Sequence, residues 1–232
     1  MRQVVLDTET TGLEVTRGDR VIEIGCVELA GRRLTGRRFH RYLNPEREVE
    51  AGALAVHGID DDFLRDKPKF ADIAEEFIEF VGGAELVIHN APFDLGFLDH
   101  ELDLAGRPPL AGLAKGVIDT LKLARELHPG RKNSLSALCE RYSIDHSHRS
   151  LHGALLDAEL LADVYLAMTR GQESLIMEFG TAACEDRLPP PAERAPLAVL
   201  RADEDEVRSH ERLLAEIERE SKGQCLWLRP EV

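Results

Sequence analysis

The chain has 232 residues, 43% hydrophobic and 31% charged, the balance of a globular protein with a sizeable core. No run approaches the ~18 apolar residues of a membrane span, and no hydrophobic leader follows Met1-Arg2. The net charge of −14 argues against a free-standing nucleic-acid binder, and the scattered Cys26, Cys139, Cys184 and Cys225 form neither a CxxC nor a disulfide framework, as expected of a reducing compartment.

The elements follow in order. Arg2–Asp7 has an apolar centre and predicts a strand. VIEIGCVEL, residues 21–29, alternates and predicts a second. Gly31 opens a turn into a third, RRLTGRRFHRYL, closed by Asn44-Pro45. These three read as an antiparallel meander. Residues 69–81 carry Phe70, Ile73, Ala74, Phe77, Ile78 and Val81 at helical spacing, stopped by Gly82-Gly83. A short strand at 85–89 precedes a helix capped by Asn90, with Pro92 in its first turn, running to about Ala105. A last strand at 116–119 is followed by helices at about 120–127, 134–142 and 153–169. A meander followed by helices alternating with strands predicts an α/β domain, a mixed sheet flanked by helices.

The texture changes after Gln172. Residues 185–196, with Pro189-Pro190-Pro191, read as a stiff polar linker. Residues 203–222 predict a charged helix with a capping box, Asp203 and Glu206, and a stop at Gly223. Its apolar stripe, Val207, Leu213, Leu214 and Ile217, is too thin to make a core, so the segment is expected to dock on a partner or stay unfolded alone. The expected domains are 1–170, 171–202 and 203–232.

Four carboxylates stand out. Asp7 and Glu9, in VVLDTET, share one strand face because side chains alternate with period two. By itself D-x-E after a strand is weak evidence and reads first as solvated strand-end acids. Asp94 falls in the first turn of a helix that follows a buried strand. The helix dipole favours an acid there, and α/β sheets also hold their sites at such strand ends. Asp157 recurs with Leu160, Leu161 and Val164 on the inward side of its helix, where an acid is costly without a cation. His152 precedes that helix, beside Gly153. His89 and Asn90 read as structural groups of a turn. Oxygen ligands from three separated elements suit Mg²⁺ or Mn²⁺ rather than zinc. Two such ions clamp the oxygens of a phosphoryl displacement, and a histidine deprotonates the attacking water.

In their order, DTETTGL, HNAPFDLGFLDHE and LHGALLDAELLADVY resemble the three motifs of the DEDDh family of 3′→5′ exonucleases, over about residues 2–170. The resemblance implies a ribonuclease H-like fold. It implies that Asp7, Glu9, Asp94 and Asp157 hold two Mg²⁺ or Mn²⁺ ions and that His152 is the general base. Thr10, Thr11, Gly12 and Leu13 would line the pocket of the terminal nucleotide, with His57 of VHGI beside it. Within the family, KNSLSALCERY and the tail DEDEVRSHERLLAEIERESKGQCLW are similar to the proofreading subunits of bacterial replicative polymerases. That likeness implies a DNA 3′ end as substrate and a cytoplasmic place in a replisome. It implies a polymerase α subunit bound through the tail, with Leu213, Leu214 and Trp227 as contacts. A sliding clamp would be met through Gln172, Leu175 and Met177, although that peptide lacks an aromatic anchor. A small θ-like subunit completes the implied partners. One departure is Gly52, which stands where the family often has a glutamate; Glu50 is the nearby acid. Two alternatives remain at this point. One is an RNA-trimming relative with the same five residues, distinguished by its handling of the 2′-OH. The other is a non-catalytic subunit bridging polymerase and clamp.

Overall fold

The computed structural model describes residues 1–147, 151–170, 201–223 and 225–228. The chain divides into two compact units, Met1–Met177 and Glu178–Val232. The expected linker and the clamp-like peptide with Gln172, Leu175 and Met177 lie outside the described residues.

The first unit is built on five strands: β1 Arg2–Thr10, β2 Val21–Ala30, β3 Arg33–Tyr42, β4 Glu85–Ile88 and β5 Gly116–Asp119. Their spatial order is β3-β2-β1-β4-β5. The meander is antiparallel, and β4 and β5 run parallel to β1, so the sheet is mixed as expected. Gly31 and Arg32 both adopt positive φ, the signature of a tight hairpin turn whose twist matches the strands it joins. β1 runs three residues beyond the expected end at Asp7. Its ladder with β2 continues through Asp7 opposite Gly25 and Glu9 opposite Glu23, with a register shift before Thr10. The acids therefore sit inside a rigid strand rather than on a loose end.

The helices are α1 Ala51–His57, α2 Asp61–Leu64, α3 Phe70–Val81, α4 Ala91–Leu104, α5 Leu110–Leu113, α6 Thr120–Leu127, α7 Leu135–Tyr142 and α8 Ala154–Met168. α1, α2 and α5 were not expected, because one or two turns carry too little periodicity to register. Alternation along β1 separates two cores. Val4 and Leu6 pack against Phe70, Phe77, Phe97 and Leu98 of α3 and α4. Val5 packs on the other face against Ala124, Leu138, Leu161 and Val164 of α6, α7 and α8. Fully buried rings such as Phe77 and Phe97 each stabilise the fold by about 1.5–3 kcal/mol. The result is a three-layer α/β unit.

The second unit contains α9, Glu204–Glu220, and a short 3-10 turn, Leu226–Leu228. Asp203 and Glu206 form the expected capping box. Gly223 takes a φ of 85° just past the helix. The amide of Cys225 donates to Glu218 Oε2 at 2.9 Å, folding the chain end back on the helix. Val207, Leu213, Trp227 and Leu228 are exposed.

Candidate active site

The two faces of β1 decide where its polar residues point. Asp7 and Glu9 follow Val5 toward α8, and Thr8 follows Leu6 toward α4. They lie where β1 and the parallel β4 end, the position at which α/β sheets open a crevice. Glu9 is buried and Asp7 half-buried.

Asp94 reaches this point from the opposite face. It lies in the first turn of α4 and is only 3% exposed. Thr8 Oγ1 donates to Asp94 Oδ1 at 2.7 Å, tying the helix start to the strand. Burial pushes the Asp94 carboxyl up to about 7, against the opposing pull of the Thr8 hydroxyl. Asn90 holds the N-cap position, but not with its side chain. Its φ of 67° places it in the left-handed region that asparagine tolerates, and its amide donates to Asp119 Oδ1 at 3.3 Å. His89 Nδ1 lies 3.0 Å from Thr120 Oγ1, the structural part expected of it.

Asp157 occupies the first turn of α8 and is also 3% exposed. One ligand atom each from Glu9, His152 and Asp157 lies within 4.8 Å of the others. His152 Nδ1 is 3.5 Å from Asp157 Oδ2, while the ring is 46% exposed. The His152 amide donates to the Val56 carbonyl at 3.1 Å, so α1 holds the histidine segment.

Two residues that sequence reasoning missed set the start of α8. The carboxylate of Glu23, on β2, accepts the Ala154 amide at 3.1 Å and meets His40 Nε2 at 2.7 Å. Gly25, opposite Asp7, lets the helix approach. A Cβ there would stand 2.2 Å from the Ala154 carbonyl carbon. Neither residue carries a local signal; only the packing of α8 on β2 reveals them.

One cleft of about 1050 Å³ takes in Asp7, Glu9, Asp94, His152 and Asp157 together with Leu13. The other expected nucleotide contacts lie behind this surface. Thr10 Oγ1 donates to the Gly12 carbonyl at 2.6 Å, and Thr11 Oγ1 to Asp19 Oδ1 at 3.0 Å. Gly12 has no room for a side chain, because a Cβ would meet the Asp19 carboxylate at 2.4 Å. Asp19, buried and bonded to Arg47 at 3.0 Å, thus anchors the turn that presents Leu13. His57 is buried, with Nδ1 accepting from the Ile59 amide at 3.0 Å. Burial lowers its pKa, so the ring is neutral near pH 7. Gly52 is exposed with open space beside it.

The donor set fits divalent cations. Three of the four carboxylates are buried, and burying that much negative charge is tolerable only opposite positive charge. Their oxygens are hard ligands of the kind Mg²⁺ and Mn²⁺ prefer, and a bound cation would reverse the upward push on Asp94.

Comparison with known proteins places the chain in a family. The exonuclease family model (RNase_T) matches residues 4–165. The DNA polymerase III subunit epsilon of Salmonella typhimurium is 51% identical over 238 residues, covering 97% of each chain. That of Escherichia coli K12 is 48% identical over 236 residues, again covering 97% of each. Among solved structures, exonuclease X in complex with 5′-overhanging duplex DNA superposes with a TM-score of 0.58 at 27% identity, covering 73% of this chain and 92% of that one. An E. coli exonuclease I–single-stranded DNA complex shares the fold, with a TM-score of 0.66 at 19% identity over 74% of this chain and 41% of that one. The chain belongs to the exonuclease family and, within it, to the DNA polymerase III epsilon subunits.

Proposed function

We propose that the protein removes mispaired 3′-terminal nucleotides from DNA as the proofreading 3′→5′ exonuclease of a bacterial DNA polymerase III. The observation that carries this reading is the convergence of Asp7, Glu9, Asp94 and Asp157, with His152, in one cleft.

Two divalent ions, Mg²⁺ or Mn²⁺, are assigned to the four carboxylates. Asp7, Glu9 and Asp157 would hold one, and Asp7 and Asp94 would help place the other. When bound, the ions neutralise charge building on the phosphoryl oxygens and leaving 3′-oxygen. His152 is the general base for the attacking water. With Nδ1 turned to Asp157, Nε2 is the nitrogen that takes the proton, and Asp157 stabilises the imidazolium that results. The half-exposed ring lets that proton leave to solvent. Leu13 offers an exposed apolar surface against which the terminal base can lie, while Thr10, Thr11, Gly12 and His57 fix the backbone behind it.

The second unit is assigned to the polymerase α subunit. Leu213 and Trp227 are exposed on a short helical hairpin, and Leu214 is half-buried beside them, as suits an apolar face completed by a partner. A clamp contact through Gln172, Leu175 and Met177 and a θ-like subunit remain part of the proposal, as does a place in the bacterial cytoplasm. No described helix is long and apolar enough to cross a membrane.

The test is release of nucleoside monophosphate from a mispaired primer. The wild-type chain should release it only with Mg²⁺ or Mn²⁺, and Asp7→Ala should abolish release. Unchanged activity in that variant would overturn the assignment.

A further inference from the structure

The same cleft extends well past the acids. At about 1050 Å³ it stands at the upper end of the range that encloses single small ligands. The acids occupy the part bounded by β1, α4 and α8. The remainder is walled by α6 and by the loop joining it to α7, with Arg125, Gly130 and Arg131 exposed and Asn133 buried behind them.

Two facts single out the guanidiniums of Arg125 and Arg131. The first is that neither has an acidic partner among the described residues. In this acidic unit arginines are generally committed: Arg20 to Glu101, Arg38 to Glu159, Arg41 to Glu76 and Arg47 to Asp19. Among the described residues, Arg125 and Arg131 make no ion pair, although both line the cleft. The second is the bracing of the loop that carries Arg131. The Arg131 amide donates to the His128 carbonyl at 3.2 Å, and Asn133 Nδ2 donates to the same oxygen at 3.3 Å. Arg141 then grips the loop from behind, donating to Asn133 Oδ1 at 3.0 Å and to the Lys132 carbonyl at 2.7 Å. Asn133 is committed within the loop and Ser134 caps α7, so the two arginines are the cationic groups that this wall offers a ligand.

We propose that Arg125 and Arg131 bind the phosphodiesters on the 5′ side of the scissile bond, so that the strand's 3′ end lies among the acids and the preceding nucleotides run over the α6–α7 loop. This rests on the nuclease reading of the acids. Contacts to phosphate position a strand without reading its sequence, as an enzyme that must accept any terminal nucleotide requires. They also place local positive charge where a chain of net charge −14 needs it to hold a polyanion.

The experiment compares two substrates of the full chain with Mn²⁺: a single-stranded oligothymidylate, and the p-nitrophenyl ester of thymidine 5′-monophosphate, which has no upstream phosphodiester. Arg125→Ala, Arg131→Ala and the double variant are assayed, with melting curves as a check on folding. In the double variant, KM for the oligonucleotide should rise about tenfold, and the plot of log affinity against log salt should lose about 0.7 of slope for each contact removed. The ratio of oligonucleotide to ester kcat/KM should fall with it. Lysine at either position should recover part of the loss, since it keeps the charge but not the fork. Anisotropy of a labelled oligonucleotide in Ca²⁺ reads the same contacts without turnover. A wild-type KM and salt slope in the double variant, or equal proportional losses on both substrates, overturns the proposal. Failure of the wild-type chain to cleave the oligonucleotide with any divalent ion would instead sink the nuclease reading.

Discussion

Glu23 accepts the backbone amide of Ala154 at 3.1 Å, and this bond ties β2 to the first turn of the helix that carries Asp157. Glu23 sits directly across the ladder from Glu9, so the strand pair that fixes one carboxylate also fixes the origin of another. His40, at 2.7 Å from Glu23 Oε1, occupies the second oxygen of the buried carboxylate.

Glu23 is therefore a positioning residue. Glu23→Ala strands the Ala154 amide and should cost about 1–3 kcal/mol of stability. Loss of such an outer support should also lower activity by about 10–100-fold. Glu23→Gln keeps an acceptor and should recover much of kcat. Melting curves with steady-state kinetics on the three forms check this; equal kcat in the wild-type and Ala forms would remove Glu23 from the site's support.

Gly25→Ala probes the same contact from the other side. The new Cβ would meet helix backbone at 2.2 Å, where no side chain can swing away. The start of α8 must shift, and with it Asp157 and His152. A displacement near 1 Å is expected to cost about 100-fold in rate. The assay is exonuclease activity beside a far-ultraviolet spectrum, and a folded variant with full activity would contradict the close-approach argument.

Asp94 couples metal to pH. With its carboxyl raised to about 7 in the metal-free fold, the folded chain keeps a proton that the unfolded chain gives up near the ordinary carboxylate value. Stability without metal should thus fall as pH rises between about 4 and 7. A divalent cation needs the ionised form, so the rise in Tm on adding Mn²⁺ should be larger at pH 8 than at pH 5.5. Equal shifts at the two pH values, measured by calorimetry, would argue against a metal role for this acid.

Truncation after Arg170 removes the second unit together with residues 171–177. The shortened chain should retain exonuclease activity, since the four cleft carboxylates and His152 all lie before that point. It should no longer co-elute with the polymerase subunit, and Trp227→Ala in the full chain should weaken that association by itself. Co-elution of the shortened chain would move the polymerase contact elsewhere.

Much of this architecture is legible in local patterns. The meander, the helix starts at Asp94 and Asp157, and the capping box at Asp203 follow from alternation, helical spacing and cap chemistry over a few neighbouring residues. The shared destination of Asp7, Glu9, Asp94, His152 and Asp157 comes from the motif resemblance. What escapes a linear reading depends on distant approach. Glu23 and Gly25 look like ordinary strand residues until α8 lands on them. Asp19 looks like a loop acid until it closes under Gly12. Thr10 and Thr11 appear available in the sequence, yet both hydroxyls turn inward to hold the loop. Arg125 and Arg131 belong to a helix end and a turn, and only the shape of the cleft brings them into line with the acids.

The most direct measurement is anomalous diffraction at the manganese edge from crystals soaked in Mn²⁺ with a nucleoside monophosphate. Two peaks about 3.5–4 Å apart, enclosed by Asp7, Glu9, Asp94 and Asp157, are the predicted result. A well-ordered cleft with nucleotide bound and no manganese among those side chains would contradict the account.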